Sequence, residues 1–457
     1  MIFLTPNLST LVNKAMVKVL TVFLLVVLCT FNLLGQVPEI NTPQPANLLP
    51  NGTVGTTGNA GANTPNIPNM PNYTTGGKSI QQVNMEVIER DIREHEARMA
   101  AAKNVTENVN GASQWEMLNR KFTPLFDQAF DSITDMLDGK QPLDLKKALF
   151  LEENAFLGNS MDYNAYNNEI KDIVNTCFTY MLQQGMDVND NMALNLALFQ
   201  FMSDTLKIEN VGQETVTETY PMKYDFEDYL GKTDWTKMFV SKLLATHSGQ
   251  CHSLPQLYLA VAQEMGAKAY LSFSPMHSYV KIKDDKGQWY NVELTNGLFI
   301  SDAAILESGF IKSEAIHSKI YMDTINLKET VAHTLYDLAK GSINRLGYND
   351  VALKYVNKAL EYFPNDVYAM QLKSDILTAR AQYIGQQFRT QEEAESNPQY
   401  LKARAERNKA YQDVDNAGFE PMPDKFYESW LRSLQKEVNK QEHQKQYLQF
   451  RKMVRYK

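Results

Sequence analysis

Between Ala267 and Ile300 the apolar pattern of the chain changes from helical to alternating, with helical periodicity on both sides. "AYLSFS" (269–274), "HSYVKIK" (277–283) and "QWYNVEL" (288–294) read as strands, and "DDKG" reads as the turn joining the last two, with Gly287 suited to positive φ. A three-residue loop of Asp285, Lys286 and Gly287 pairs Asp284 with Gln288. Tyr279 then lies opposite Glu293, and His277 lies one diagonal step away on the same face, with Asn291 and Trp289. Val280, Ile282, Tyr290, Val292 and Leu294 occupy the other face and are expected in a core. A two-residue loop would put His277 and Glu293 on opposite faces, so the turn decides whether they can meet. The glycine favours the register in which they do.

Just upstream, "HSGQCHSLPQLYLAVAQEMG" (247–266) places Cys251 at the start of an amphipathic run with Leu254, Leu257, Tyr258, Val261 and Met265 on one face. Unpaired N–H groups and the dipole at a helix N-terminus favour a thiolate there. A cysteine nucleophile needs a base and a group to orient that base. His277 is the candidate base and Glu293 the candidate orienter, with Asn291 as the alternative. Taken singly, a strand histidine is usually a hydrogen-bonded structural residue and a hairpin glutamate is usually solvated. The order cysteine, histidine, acid over one helix and two strands is more specific than its parts. His247 and His252 flank the thiol, but no second ligand pair at zinc-like spacing accompanies them, so neither a metal nor a cofactor is expected. Cys177, in "EIKDIVNTCFTYML" with Ile170, Val174 and Met181, reads as a buried small hydrophobe.

Lys14 and Lys18 precede "VLTVFLLVVLCTFNLLGQ", a pattern of secretory type that assigns residues 1–36 to a cleaved signal peptide. The alternatives are a retained anchor, for which the run is marginal in length, and lipidation at Cys29, which bulky Leu28 disfavours. The chain is thus expected to be exported and to work in the periplasm or outside the cell. Residues 37–80 are rich in Pro, Gly, Asn and Thr and nearly uncharged, as in a disordered tether. Residues 81–244 read as mostly helical, with polar breaks at "DGKQPLD", "NSMDYN" and "ENVGQETVTETYP". Residues 245–325 form the candidate core. Over 326–385, "LGYNDVALKYVNKALEYFPND" sets Gly347, Ala352, Ala359 and Pro364 at the spacing of a tetratricopeptide helix pair. Residues 386–457 read as a polar helical tail, and its last 27 residues carry eight Lys or Arg against two Glu. Such a basic end could touch an acidic partner or a membrane surface, though a solvated helix is the commoner explanation. A net charge of −8 argues against nucleic acid as the main partner.

"GQCHSLPQLYLAVAQEMG", "PMHSYVKI" and "WYNVELTNG" together resemble the transglutaminase-like superfamily of cysteine enzymes. The closer similarity is to its bacterial branch, in which a helical segment precedes the core and tetratricopeptide-type helices follow it. The lead-in "MKYDFEDYLGKTDWTKMFVSKLL" is also similar, and the resemblance spans roughly residues 145–375. It implies an α+β fold with a papain-like core, and the roles nucleophile, base and orienter for Cys251, His277 and Glu293. The superfamily usually has Asp four residues after the Trp, where this chain has Glu293 after Trp289. Two functions follow as expectations. One is a thiol hydrolase or acyltransferase acting on peptide or amide bonds, with a protein or peptide substrate. The other is a non-catalytic interaction module of an envelope or extracellular assembly, using the same groove and the helical tail.

Overall fold

The computed structural model describes residues 111–209, 216–307 and 309–436. The expected signal peptide, the tether, the first part of the 81–244 helical stretch and the basic end beyond residue 436 lie outside the described residues. The fold mixes many helices with small sheets, as an α+β chain does. No helix among the described residues is long and apolar enough to cross a membrane.

Four helices open it: α1 (Gly111–Leu137), α2 (Leu145–Phe156), α3 (Tyr163–Gln183) and α4 (Asn191–Ser203). The polar segments between them supply their caps. Asp144, Asp162 and Asp190 each accept a first-turn backbone N–H, satisfying donors that a helix start leaves unpaired. Cys177 lies on α3 and is fully buried with Ile170 and Met181, and burial pushes its thiol pKa up to about 12.

The third break departs from the helical reading. β1 (Leu206–Glu209) pairs antiparallel with β2 (Val216–Thr219), and Val216, Thr217 and Glu218 on β2 are exposed. With no buried face, that strand carries no apolar alternation to read. β3 (Lys223–Tyr224) then pairs in parallel with β4 (Ser248–Gly249), across a 3-10 turn (Trp235–Met238) and α5 (Val240–Thr246). The N-terminus of α5 rests on a buried carboxylate. Glu153 accepts from Val240 N at 2.6 Å and Ser241 N at 3.0 Å. Burial nevertheless raises the Glu153 pKa to about 7, against those bonds.

α6 (Ser253–Met265) runs through the core and packs against α2, α3, α4, α5 and the sheet. The expected single apolar face is too narrow a description, because eleven of its thirteen residues are buried. Even its polar end is tied down: Lys146 of α2 bonds Glu264 at 2.7 Å and Asn167 at 2.6 Å. The main sheet follows, in the order β5 (Ala269–Ser274), β6 (His277–Lys283), β7 (Trp289–Glu293) and β8 (Leu298–Ile300), all antiparallel. Lys283 pairs with Trp289 and Val280 with Val292, the register of a three-residue loop, and Gly287 takes φ 87° in it. Val280, Ile282, Val292 and Leu294 enter the core as expected. Tyr290 does not; it is partly exposed and its hydroxyl donates to Asp284 at 3.2 Å. β8 has three residues, too few for a period-2 signal.

Two short helices, α7 (Asp302–Glu307) and α8 (Ser313–His317), lead to α9 (Leu327–Leu346), α10 (Asp350–Tyr362) and α11 (Val367–Gly385). Gly347 closes α9 at φ 80°, and Ala352 and Ala359 are fully buried on α10, so the small residues do sit at a close helix pair. Residues 387–397, which contain α12 (Gln391–Ser396), form a separate unit, whose helix is capped by Thr390. Beyond it, α13 (Pro398–Asn416) packs along α11, and residues 424–436 form a last described helix, α14.

Candidate active site

The turn before α6 is built for close approach. A Cβ on Gly249 would meet Ser253 Oγ at 2.6 Å and Leu243 at 3.0 Å, so only glycine fits there without rearrangement. Ser253 Oγ accepts from Gln250 N at 2.9 Å, and Ser278 donates to the Cys251 carbonyl at 2.5 Å. These bonds hold Cys251 in the turn that leads into α6, two residues before the helix proper rather than inside it. The thiol is free and partly buried.

β6 brings His277 to this turn. Its Nε2 lies 2.6 Å from Glu293 Oε2, and both residues are buried. Glu293 in turn accepts from Thr295 N at 2.8 Å through its other oxygen, which fixes the carboxylate plane. With Nε2 engaged, the ring's other nitrogen, Nδ1, is buried without a hydrogen-bond partner. The charge of His277 acts on the Cys251 thiol, and Nδ1 is the ring nitrogen that Glu293 leaves uncommitted. Burial works against charge at all three groups, and the partners overcome it. Glu293 and Cys251 raise the His277 pKa to about 10, and His277 holds both Glu293 and Cys251 below their ordinary values. The three residues singled out in the sequence therefore meet in one constellation.

Two polar neighbours are engaged elsewhere. Asn291, the alternative orienter, donates to Asp302 at 2.8 Å and to the Ile300 carbonyl at 3.2 Å, which ties it to the β7–β8 edge. Gln250 is fully buried, and its Nε2 donates to the Glu227 carbonyl at 3.2 Å.

The sequence reading missed the other side of the thiol. Tyr427 of α14 is buried with its hydroxyl 3.7 Å from Cys251 Sγ, and Trp430 packs edge-on against His277 with centroids 4.9 Å apart. Tyr229 completes the aromatic cover, 5.2 Å from Tyr427. Tyr427, Trp430, Leu431 and Leu434 have the spacing of one helical face, a signal present in a tail read as polar.

From Cys251 a cleft of about 280 Å³ extends past His252 to α9 and α11, with Met276 and Met422 on its wall. On its wall His333 Nδ1 lies 2.7 Å from Asp366 Oδ2, both buried. Asp366 also caps α11 by accepting from Tyr368 N and Ala369 N at 3.1 Å. Burial disfavours a charged His333, but Asp366 and Asp337 outweigh it and raise its pKa. Glu152 is raised well above the usual carboxylate range by burial and by the nearby Asp337 charge.

Comparison of the chain with family models, with curated proteins and with solved structures returns no match.

Proposed function

We propose that the chain is a transglutaminase-like thiol enzyme that cleaves or transfers acyl groups of peptide or amide bonds, with Cys251 as nucleophile. The observation that carries this reading is the buried His277–Glu293 pair at 2.6 Å, with the second ring nitrogen left for the thiol. On attack the Cys251 sulfur bonds the carbonyl carbon, and imidazolium His277 gives its proton to the leaving amine as the C–N bond breaks. The resulting thioester is then attacked by water or by an acceptor amine, whose proton His277 takes as the C–S bond breaks and the Cys251 thiolate leaves. Glu293 holds the ring and stabilises its charged form. The finer fold assignments, a papain-like core around α6 and the main sheet and a tetratricopeptide-type pair at α9–α10, belong to the same proposal. So do export to the periplasm or cell exterior, and a protein or peptide as substrate.

An activated ester, p-nitrophenyl acetate, tests it without a known substrate. The expected result is a burst of nitrophenol with acetate mapped to Cys251, absent in Cys251→Ser and slowed in His277→Ala. Added primary amine then separates transfer from hydrolysis. Acetylation that spares Cys251, or that is equal in the unfolded chain, sinks the reading. That outcome would favour the second one, a non-catalytic binding module, which Tyr427 and Trp430 support by occupying the face of the groove over Cys251 and His277.

A further inference from the structure

A second cluster adjoins the nucleophile and uses none of its three residues. His252, His333 and Asp337 present one ligand atom each, all within 4.8 Å of one another. His252 Nε2 is 3.3 Å from Asp337 Oδ1, close to the edge of a tetrahedron built on metal–ligand bonds of about 2.0–2.1 Å. Asp337 is 1% exposed, yet neither of its carboxylate oxygens has a hydrogen-bond partner. A buried carboxylate with no hydrogen-bonded donor, and only the His252 imidazole 3.3 Å away, is costly, and the two imidazoles beside it mark what would relieve that cost. His333 is already arranged as a ligand. Its Nδ1 pairs with Asp366 at 2.7 Å, which leaves Nε2 as the other ring nitrogen. A carboxylate behind a histidine in this way fixes the ring and strengthens it as a donor. One turn after His252 on α6, the Gln256 carboxamide is also buried with neither polar atom bonded.

We propose that His252, His333 and Asp337 bind a divalent cation of the zinc class, with Asp366 orienting His333. Two nitrogens and one oxygen suit a borderline ion such as Zn²⁺ or Co²⁺ better than a hard ion that demands an all-oxygen shell. Three protein ligands leave a position open, and the cleft that reaches Cys251 lies alongside. The ion would hold a carboxylate or carbonyl oxygen of whatever enters the cleft. The sequence spacing gave no sign of it, because His252 lies on the turn before α6 while His333 and Asp337 lie one turn apart on α9.

The test uses the full chain, dialysed against chelator and then titrated with Zn²⁺ by calorimetry and with Co²⁺ by visible absorption. The expected result is one ion per chain, with the strong visible bands of a low-coordinate Co²⁺ site. His252→Ala, at a partly exposed position, and the isosteric Asp337→Asn should each weaken binding by more than the roughly 10–100-fold typical of losing an outer-shell partner. Asp366→Asn should weaken it less, while circular dichroism shows all variants folded. Cys251→Ser should keep the ion and show no sulfur-to-cobalt band. A folded wild-type chain that takes up no stoichiometric ion overturns the proposal. So does an ion lost in Cys251→Ser but kept in Asp337→Asn, which would assign it to the thiol and His277. Neither outcome depends on whether Cys251 accepts an acyl group.

Discussion

His277 and His333 are both buried, and each is bonded through one ring nitrogen to a carboxylate, at 2.6 Å and 2.7 Å. They line one cleft. His277 stands on a strand and spends Nε2 on Glu293; His333 stands on a helix and spends Nδ1 on Asp366, which caps α11 as well. The pairs are chemically alike, and what separates them is the neighbour of the second nitrogen. At His277 that neighbour is a thiol, which can give up a proton and attack. At His333 it is a carboxylate and another imidazole, which can share a cation but offer no nucleophile. The lesson is that a histidine–acid pair is a device for aiming a nitrogen, and its role comes from what it is aimed at.

The largest expected effect falls on the helical pair. Asp366→Ala removes both a buried ion-pair partner and a helix cap. It should cost about 3–5 kcal/mol for the pair and roughly 0.5–2 kcal/mol for the cap, read by denaturant unfolding. A loss no greater than that of Glu293→Gln would break the claimed difference between the pairs.

Next comes the sheet pair, whose contribution should depend on pH. Glu293 is lowered, so its share is present above the ordinary carboxyl pKa of about 4.3 and fades as pH falls through its lower folded value. His277 is raised, so its share is full below about pH 6.5 and is lost as pH climbs toward its folded value of about 10. Glu293→Gln should therefore destabilise most at about pH 5–6 and least near pH 10. A stability difference that is flat from pH 5 to 10 would contradict the paired charges.

Smaller still is Cys177→Ala, expected to cost about 1–2 kcal/mol from lost packing. Labelling of the native chain by a small thiol reagent should not change, because Cys177 is fully buried and its thiol is held protonated. Trp430→Ala should change stability least and should speed labelling of Cys251 by uncovering His277 and the thiol. Slower labelling would mean that Trp430 supports the site rather than covers it.

Much of the sheet half was legible in the sequence. The period-2 pattern gave β5 and β6 at their observed limits, and the glycine turn gave the register that puts His277 and Glu293 on one face. What failed there was Tyr290, because alternation names a face but not whether its last position reaches the core. The helical half was legible as helices and not as a site. His252, His333, Asp337 and Asp366 meet only in the tertiary fold, where the turn before α6 comes beside α9 and Asp366 at the start of α11, which no local spacing encodes. The Tyr427–Leu434 stripe was readable, but the charged residues around it hid its face in a tail taken as polar.

Alkylation of Cys251 by iodoacetamide at neutral pH tests most directly whether His277 activates the thiol. Four folded proteins suffice: wild type, His277→Ala, Glu293→Gln and Asn291→Ala. The rate should fall most in His277→Ala and less in Glu293→Gln. It should hardly change in Asn291→Ala, whose amide is committed to Asp302. A wild-type rate no faster than that of an unstructured thiol, and equal in His277→Ala, would contradict the account.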